Sequence, residues 1–204
     1  TFRHEMYEQY KANRPPMPED MAVQIPYIKK VVDGFRLAVM EAPGFEADDL
    51  IGTLAEKAEA AGYDTVIVTG DKDFIQLVSE HISIWDPMKD KVIDRSTVKK
   101  DYGLAPEQMI DVMGLAGDTA DNIPGVPGVG MKTAVKLIDE FGSMESLYEH
   151  LDRLKSEKQR EKLAAAREQA FMSRDLVSIH RDAPAALAPD AFRVPEPDRA
   201  ALFE

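Results

Sequence analysis

Cysteine is absent from this 204-residue chain, which excludes disulfides, thiolate metal sites and a cysteine nucleophile. The absence agrees with a cytoplasmic protein. Basic residues are scarce as well: 25 lysines and arginines against 37 aspartates and glutamates give a formal net charge of −12. A balance of that sign argues against the broad basic footprint of a typical nucleic-acid binder. No apolar run approaches the length of a membrane span, and the N-terminus carries no secretory h-region, so no membrane association is expected. Tryptophan occurs once, as Trp85, and reads as core rather than as a stacking platform. His4, His81, His150 and His180 are scattered without metal-ligand spacing. No serine stands in a nucleophile elbow, and no repeat of solenoid period is present.

What the chain does have is acid in three tight groups. Glu46, Asp48 and Asp49 lie in GFEADDLIG, Asp71 and Asp73 in VIVTGDKDF, and Asp118 and Asp121 in GLAGDTADNIPG. Taken singly, each has an ordinary explanation as a helix cap or turn residue. Gathered together, they would repel and raise one another's pKa unless cations neutralised them. Oxygen-only ligand sets favour Mg²⁺ or Mn²⁺ over zinc or copper, and a pair of such ions can drive phosphodiester hydrolysis. Two dications would also restore about four positive charges locally, which softens the objection from net charge. Basic residues bunch near the start (Arg3, Lys11, Arg14) and again at Lys132 and Lys136.

The pattern of elements says where these groups sit. A helix is expected to start after Pro18 and to carry Met21, Ile25, Ile28, Val31 and Val32 towards Gly34. Leu37 to Glu41 reads as a short strand, Glu46 to Ala60 as a helix stopped by Gly62, and Thr65 to Thr69 as a buried strand. A short helix follows from about Lys72, with further strands at His81 to Trp85 and Lys91 to Ile93. This alternation implies an α/β unit with a largely parallel sheet, whose strand tips are the usual place for ligands. Beyond it the pattern turns helical: Ser96 to Tyr102, Pro106 to Leu115, Lys132 to Phe141, Ser143 to His150, and one long charged segment from Glu157 to Arg174. The tail from Ala183 to Pro197 reads as loop.

The segment IPGVPGVGMKT invites a nucleotide-binding reading, because Gly125 and Gly130 have the separation of a Walker loop. Met131 intervenes before Lys132 and Thr133, however, and no strand precedes the loop. A glycine hairpin between two helices better suits a grip on a DNA backbone. Amides freed by Gly125, Gly128 and Gly130, with Lys132, would contact phosphates without reading bases.

In order, FRHE, YKANRPPMPEDM, EADDLIGTLA, TGDKDFIQLV and MGLAGDTADNIPGVPGVGMKTA resemble the 5′-3′ exonuclease (5′-nuclease) domain of bacterial DNA polymerase I, in the flap endonuclease family. The likeness covers nearly the whole chain and weakens after about residue 150. It implies a parallel-sheet, PIN-like α/β domain over residues 1–94, with residues 1–20 as a helical arch. A helical helix–three-turn–helix DNA-binding region would follow over 95–204. It implies metal-dependent hydrolysis at 5′ ends and 5′ flaps of nicked or branched DNA, in replication and repair. Glu46, Asp48 and Asp49 match one metal region and Asp71, Asp73, Asp118 and Asp121 the other, for two Mg²⁺ or Mn²⁺ ions. Lys11 and Arg14 match the arch, at the scissile phosphate, as catalytic cations. Arg3, Lys11, Arg14, Gly125, Gly128, Gly130, Lys132 and Thr133 match DNA contacts, and the hairpin implies a K⁺ site. A polymerase region in the same chain, a monomer and a cytoplasmic, nucleoid-associated location are further implications.

The family pattern also includes an aspartate on a first strand and another just before the position of Thr1. Neither is in this sequence, so the chain is expected to be an N-terminally truncated piece, with activity expected of the parent protein. Two rivals share parts of the pattern. A non-catalytic DNA-junction-binding module would use the hairpin without needing metal. A phosphatase acting on small compounds would use the metal chemistry but leave the hairpin unexplained.

Overall fold

The computed structural model describes residues 1–203. Its sheet has three strands, β1 (Thr65–Val68), β2 (Ile82–Asp86) and β3 (Lys91–Ile93), in the order β1-β2-β3. β1 and β2 run parallel, with Ile67 opposite Ile84. β2 and β3 run antiparallel, with Trp85 opposite Val92. The second pairing departs from the parallel expectation because only Pro87 to Asp90 join the strands, far too few residues for a crossover. Helix α4 (Ala47–Ala60) packs on β1, and a 3₁₀ segment, Lys72–Leu77, turns under the sheet. Both match the expected elements.

The expected strand at Leu37 to Glu41 does not form. A strand needs a ladder partner, and among the described residues this segment has none; Leu37, Val39 and Met40 are exposed. The expected helix after Pro18 divides into α2 (Glu19–Ala22) and α3 (Ile25–Gly34). Pro26 has no N–H to donate back to Ala22, so the helix restarts there. α3 is held chiefly by the chain's end, where the Asp198 amide donates to the Gly34 carbonyl at 2.7 Å. Residues 1–20 are less helical than the arch expectation: α1 is only Phe2–Met6, followed by turns.

The second half is helical as expected: α5 (Arg95–Tyr102), α6 (Met109–Ala116), α7 (Met131–Phe141), α8 (Met144–Glu149), α9 (Glu157–Ala165), α10 (Arg167–Val177) and α11 (Arg199–Leu202). The long charged segment breaks at Ala166 into α9 and α10. α6 is the hub, packed between α7 and α10 with Met109, Val112 and Leu115 fully buried. The main core runs without interruption from Ile67, Ile82 and Ile84 in the sheet to Ile138, Leu147 and Leu163 among the helices. The α/β half and the helical half therefore hold each other in place. Among the described residues no helix is long and apolar enough to cross a membrane.

Candidate functional site

The first acid group is fixed by the way α4 begins. Glu46 is its N-cap, with Asp48 and Asp49 in the first turn, where acidic side chains suit the helix dipole. Asp49 reaches back to the Glu46 amide at 3.0 Å and is completely buried. Its other partners are the Arg3 guanidinium, held through two bonds of 2.7 and 2.9 Å, and the His180 amide at 2.9 Å. Burial would raise the Asp49 pKa, but Arg3 and these amides outweigh it and hold the group below the usual carboxylate range. The resemblance assigns Asp49 to a metal region and Arg3 to DNA; here the two side chains are bonded to each other. Asp49 is saturated by protein donors, and Arg3, only 3% exposed, lies at the edge of the acid hollow with its guanidinium bonded to Asp49.

The second group follows from the end of β1. Gly70 leads into Asp71, whose Oδ1 caps the 3₁₀ segment by accepting from the Asp73 amide at 2.9 Å. The third sits where α6 ends. Asp118 and Ile123 pair as an isolated bridge, closing a tight loop that presents Asp118 and Asp121. The N-terminal segment is fastened across this loop. Lys11 donates its amide to the Asp121 carbonyl (2.9 Å), Asn13 donates to Thr119 O (2.7 Å) and Asn122 donates to Gln9 O (2.6 Å).

The three groups converge. Glu46, Asp48, Asp73 and Asp121 line one small hollow, floored by Ile123, Leu176, Val177 and Ile179. Burial, then the charges of Asp71 and Glu46, raise the Asp48 pKa. Asp73 is pushed to about 7, by burial first and then by Asp71 and Asp118. Its Oδ1 is buried without a hydrogen-bond partner. Asp118 stays below its ordinary value although burial opposes this, because Lys72 and the Ala120 amide bind it.

Basic side chains thread between the acids. Lys11 Nζ bonds Glu46 at 2.6 Å and lies 3.6 Å from Asp121, Arg14 pairs with Asp121, and Lys72 pairs with Asp118 at 2.8 Å. Tyr10, buried beneath them, donates to Glu46 at 3.2 Å. With the carboxylates so engaged, no group of three or more acids or histidines among the described residues converges tightly enough to hold an ion as the side chains stand. The donor set nevertheless fits a hard dication. It is oxygen only, it carries excess negative charge, and Asp73 keeps an unsatisfied oxygen inside it.

The hairpin after this loop is backed by α10. The Gly125 amide donates to Ser173 Oγ (3.0 Å) and its carbonyl accepts from Gln169 (2.6 Å). Gly125 is buried, so its role is the turn itself and not a direct contact with a ligand, unlike the expectation. Gly128 and Gly130 are exposed, Gly130 is the N-cap of α7, and Lys132 is exposed beside it. Gly128 and Thr133 line a cleft of about 250 Å³ whose opposite wall is Ser156, Lys158, Gln159 and Lys162, running along α9 from its N-cap to its last turn.

Two family models cover the chain. The model described as 5′-3′ exonuclease, N-terminal resolvase-like domain, matches residues 1–103, and that described as 5′-3′ exonuclease, C-terminal SAM fold, matches 104–200. The chain belongs to the 5′-3′ exonuclease family. It is 50% identical over 184 residues to the thermostable DNA polymerase I of Thermus thermophilus, covering 90% of this chain and 22% of that protein. To DNA polymerase I of Bacillus caldotenax it is 42% identical over 212 residues, covering 100% and 24%. The chain thus spans less than a quarter of the length of these relatives. The fold matches the bacteriophage T5 flap endonuclease in a pseudo-enzyme-product complex with DNA and metal ions, at a TM-score of 0.75 and 23% identity over 88% of this chain and 70% of that one. At that identity the likeness establishes the fold alone.

Within this exonuclease fold, several site residues escaped the reading of the sequence. Lys72 sits between two aspartates in GDKDF, a signal for a local counter-charge that the spacing of the acids overshadowed. Tyr10 precedes Lys11, but nothing in the sequence says that its hydroxyl meets Glu46. Lys158 and Lys162 lie in a charged helix, and nothing in its local sequence says that it faces the hairpin.

Proposed function

We propose that this exonuclease-family chain is the nuclease part of a longer protein that hydrolyses phosphodiesters at 5′ ends and 5′ flaps of DNA. The observation that carries the reading is the convergence of acids from three separate chain segments on one hollow, beside a hairpin with an unpaired basic cleft. Glu46, Asp48, Asp71, Asp73, Asp118 and Asp121 would hold Mg²⁺ or Mn²⁺, two ions by the donor count. When bound there, such ions supply an activated water and charge for the departing oxygen. The chain's own cations do the rest. Lys11 and Arg14 are already within the acid cluster, where an incoming phosphate competes with Glu46 and Asp121 for them and gains their charge as the transition state forms. The relatives' length and name support a polymerase region in the same protein, with primer removal in replication and repair as the setting. A monomer in the bacterial cytoplasm, and K⁺ at the hairpin carbonyls, complete the proposal.

The test is Mg²⁺-dependent cleavage of a 5′-flap duplex by the full-length protein. Asp71→Asn together with Asp118→Asn should reduce it by about 10³-fold, equal to about 4 kcal/mol of barrier. Cleavage like the unsubstituted protein's would sink the reading. The ion-paired state of the acids favours one rival, a junction-binding module without catalysis. That rival predicts no cleavage by the parent protein in any divalent cation.

The basic cleft makes a separate prediction. Lys158 and Lys162 have no carboxylate partner within 4.0 Å among the described residues, whereas the lysines of the acid cluster all do. Replacing both by alanine should weaken duplex binding alike for every sequence and lower the log–log salt slope by about 2. An unchanged slope would show that this cleft does not meet phosphates.

A further inference from the structure

We propose that Arg3 and Asp49 act together as a positioning strut for the acid site, Asp49 bonding protein groups and not a metal ion. The inference rests on the metal reading of the site but assigns these two residues a different part in it.

The accounting at Asp49 is complete. A carboxylate has about four acceptor positions. Oδ1 accepts from Arg3 Nη2 (2.7 Å) and the His180 amide (2.9 Å); Oδ2 accepts from Arg3 Nη1 (2.9 Å) and the Glu46 amide (3.0 Å). Nothing is left over for a cation unless one of these bonds breaks inside a site with no exposure. Asp48, one residue earlier, is only half-buried and lines the hollow. The two neighbouring acids therefore face different tasks.

What the strut holds is equally specific. Arg3 also donates Nε to the Leu176 carbonyl (3.0 Å) and Nη2 to the Ser178 carbonyl (2.7 Å). One guanidinium thus ties α1 to the start of α4 and to the end of α10. The start of α4 presents Glu46 and Asp48; α10 carries Ser173, which holds the hairpin at Gly125. Only a planar fork makes the paired bonds to the carboxylate while reaching two further carbonyls. Loosening it would let Glu46 and Asp48 drift from Asp73 and Asp121.

The experiment turns on sign. Arg3→Gln and Arg3→Lys are made in the full-length protein and compared at a temperature where circular dichroism shows all of them folded. Mn²⁺ binding without DNA is followed by electron paramagnetic resonance, and duplex binding by its salt dependence. As a strut, Arg3→Gln should weaken Mn²⁺ binding by about 10-fold or more, the scale of lost supporting contacts around ligands. Arg3→Lys should recover part of that loss, and the salt slope of duplex binding should stay unchanged in both. If Asp49 is a ligand restrained by Arg3, freeing it would tighten Mn²⁺ binding, and that outcome overturns the proposal. A salt slope lowered by about 1 with Mn²⁺ binding intact also overturns it, by making Arg3 a phosphate contact. Failure of the unsubstituted protein to bind Mn²⁺ at all would defeat the metal reading itself, and the strut with it. Mn²⁺ binding that Arg3→Gln leaves unaltered defeats the strut alone.

Discussion

Asp73→Asn is expected to stabilise the metal-free protein while abolishing cleavage. Asp73 is the most strained charge in the cluster, with Oδ1 buried and unpaired and its pKa pushed to about 7 by burial and by Asp71 and Asp118. Its folded value lies above the ordinary 3.8, so between about pH 4 and pH 7 the folded state binds the extra proton. The group's contribution to stability is therefore full below about pH 4, falls as pH rises through 7, and is level above that. An amide cannot ionise and escapes this decline. The gap between 3.8 and about 7 corresponds to at most ~4 kcal/mol, and sharing of charge with Asp71 and Asp118 reduces the observable part. Chemical denaturation without divalent ions should show the variant more stable by about 1–3 kcal/mol at pH 8, with no difference near pH 4.

Activity should move the other way. A cation favours the ionised carboxylate, so binding releases a proton and apparent affinity rises with pH through about 7. Without that carboxylate the pH dependence should flatten and flap cleavage should drop by about 10³-fold or more. Opposite signs for stability and activity mark a group kept for function at a cost to the fold. A variant that is less stable at pH 8, or that cleaves within tenfold of the unsubstituted protein, would contradict the assignment.

The contrast between Asp73 and Asp49 shows what the sequence could and could not convey. That acids cluster at element ends was legible from EADD, GDKD and GDTAD, because caps and strand tips follow local rules. β1 and α4 were legible as elements for the same reason, from a β-branched run and from the spacing of Leu50, Leu54 and Ala58. The expected burial of β1 holds only for Ile67, since Val66 and Val68 are exposed. Which carboxylate a buried arginine would claim was not legible, since Arg3 meets Asp49 across 46 residues and Leu176 and Ser178 across most of the chain length. The segment from Leu37 to Glu41 failed differently. Its side chains have the composition of a strand, but a strand is a property of a pair, and composition names no neighbour. Lys158 and Lys162 belong with Arg3: their chemistry was visible and their location was tertiary.

Gly117→Ala and Gly125→Ala should be the most damaging substitutions to stability, because the two residues cross at backbone contact. Gly117 has φ 70° and ψ −178°, a region open almost only to glycine. A Cβ there would stand 2.5 Å from the Ile123 carbonyl oxygen and 2.7 Å from the Gly125 nitrogen. At Gly125, with φ 58°, it would stand 2.4 Å from the Gly117 nitrogen and 2.6 Å from the Ala116 carbonyl carbon. Neither obstacle is a side chain that could rotate aside. The loop bearing Asp118 and Asp121 would have to open, breaking the Asp118–Ile123 bridge and the Val126 amide's bond to the Leu115 carbonyl. Backbone strain and lost hydrogen bonds together put the expected cost at about 4 kcal/mol or more for either alanine. For a chain of this size that lowers the melting temperature by about 8–16 °C in calorimetry. Gly130→Ala is the control: nothing lies within 4 Å of its Cβ position and its φ of −98° suits any residue, so its cost should stay within about 1 kcal/mol. Equal melting temperatures for Gly125→Ala and Gly130→Ala would mean that the crossing is not what ties the acid loop to the glycine hairpin.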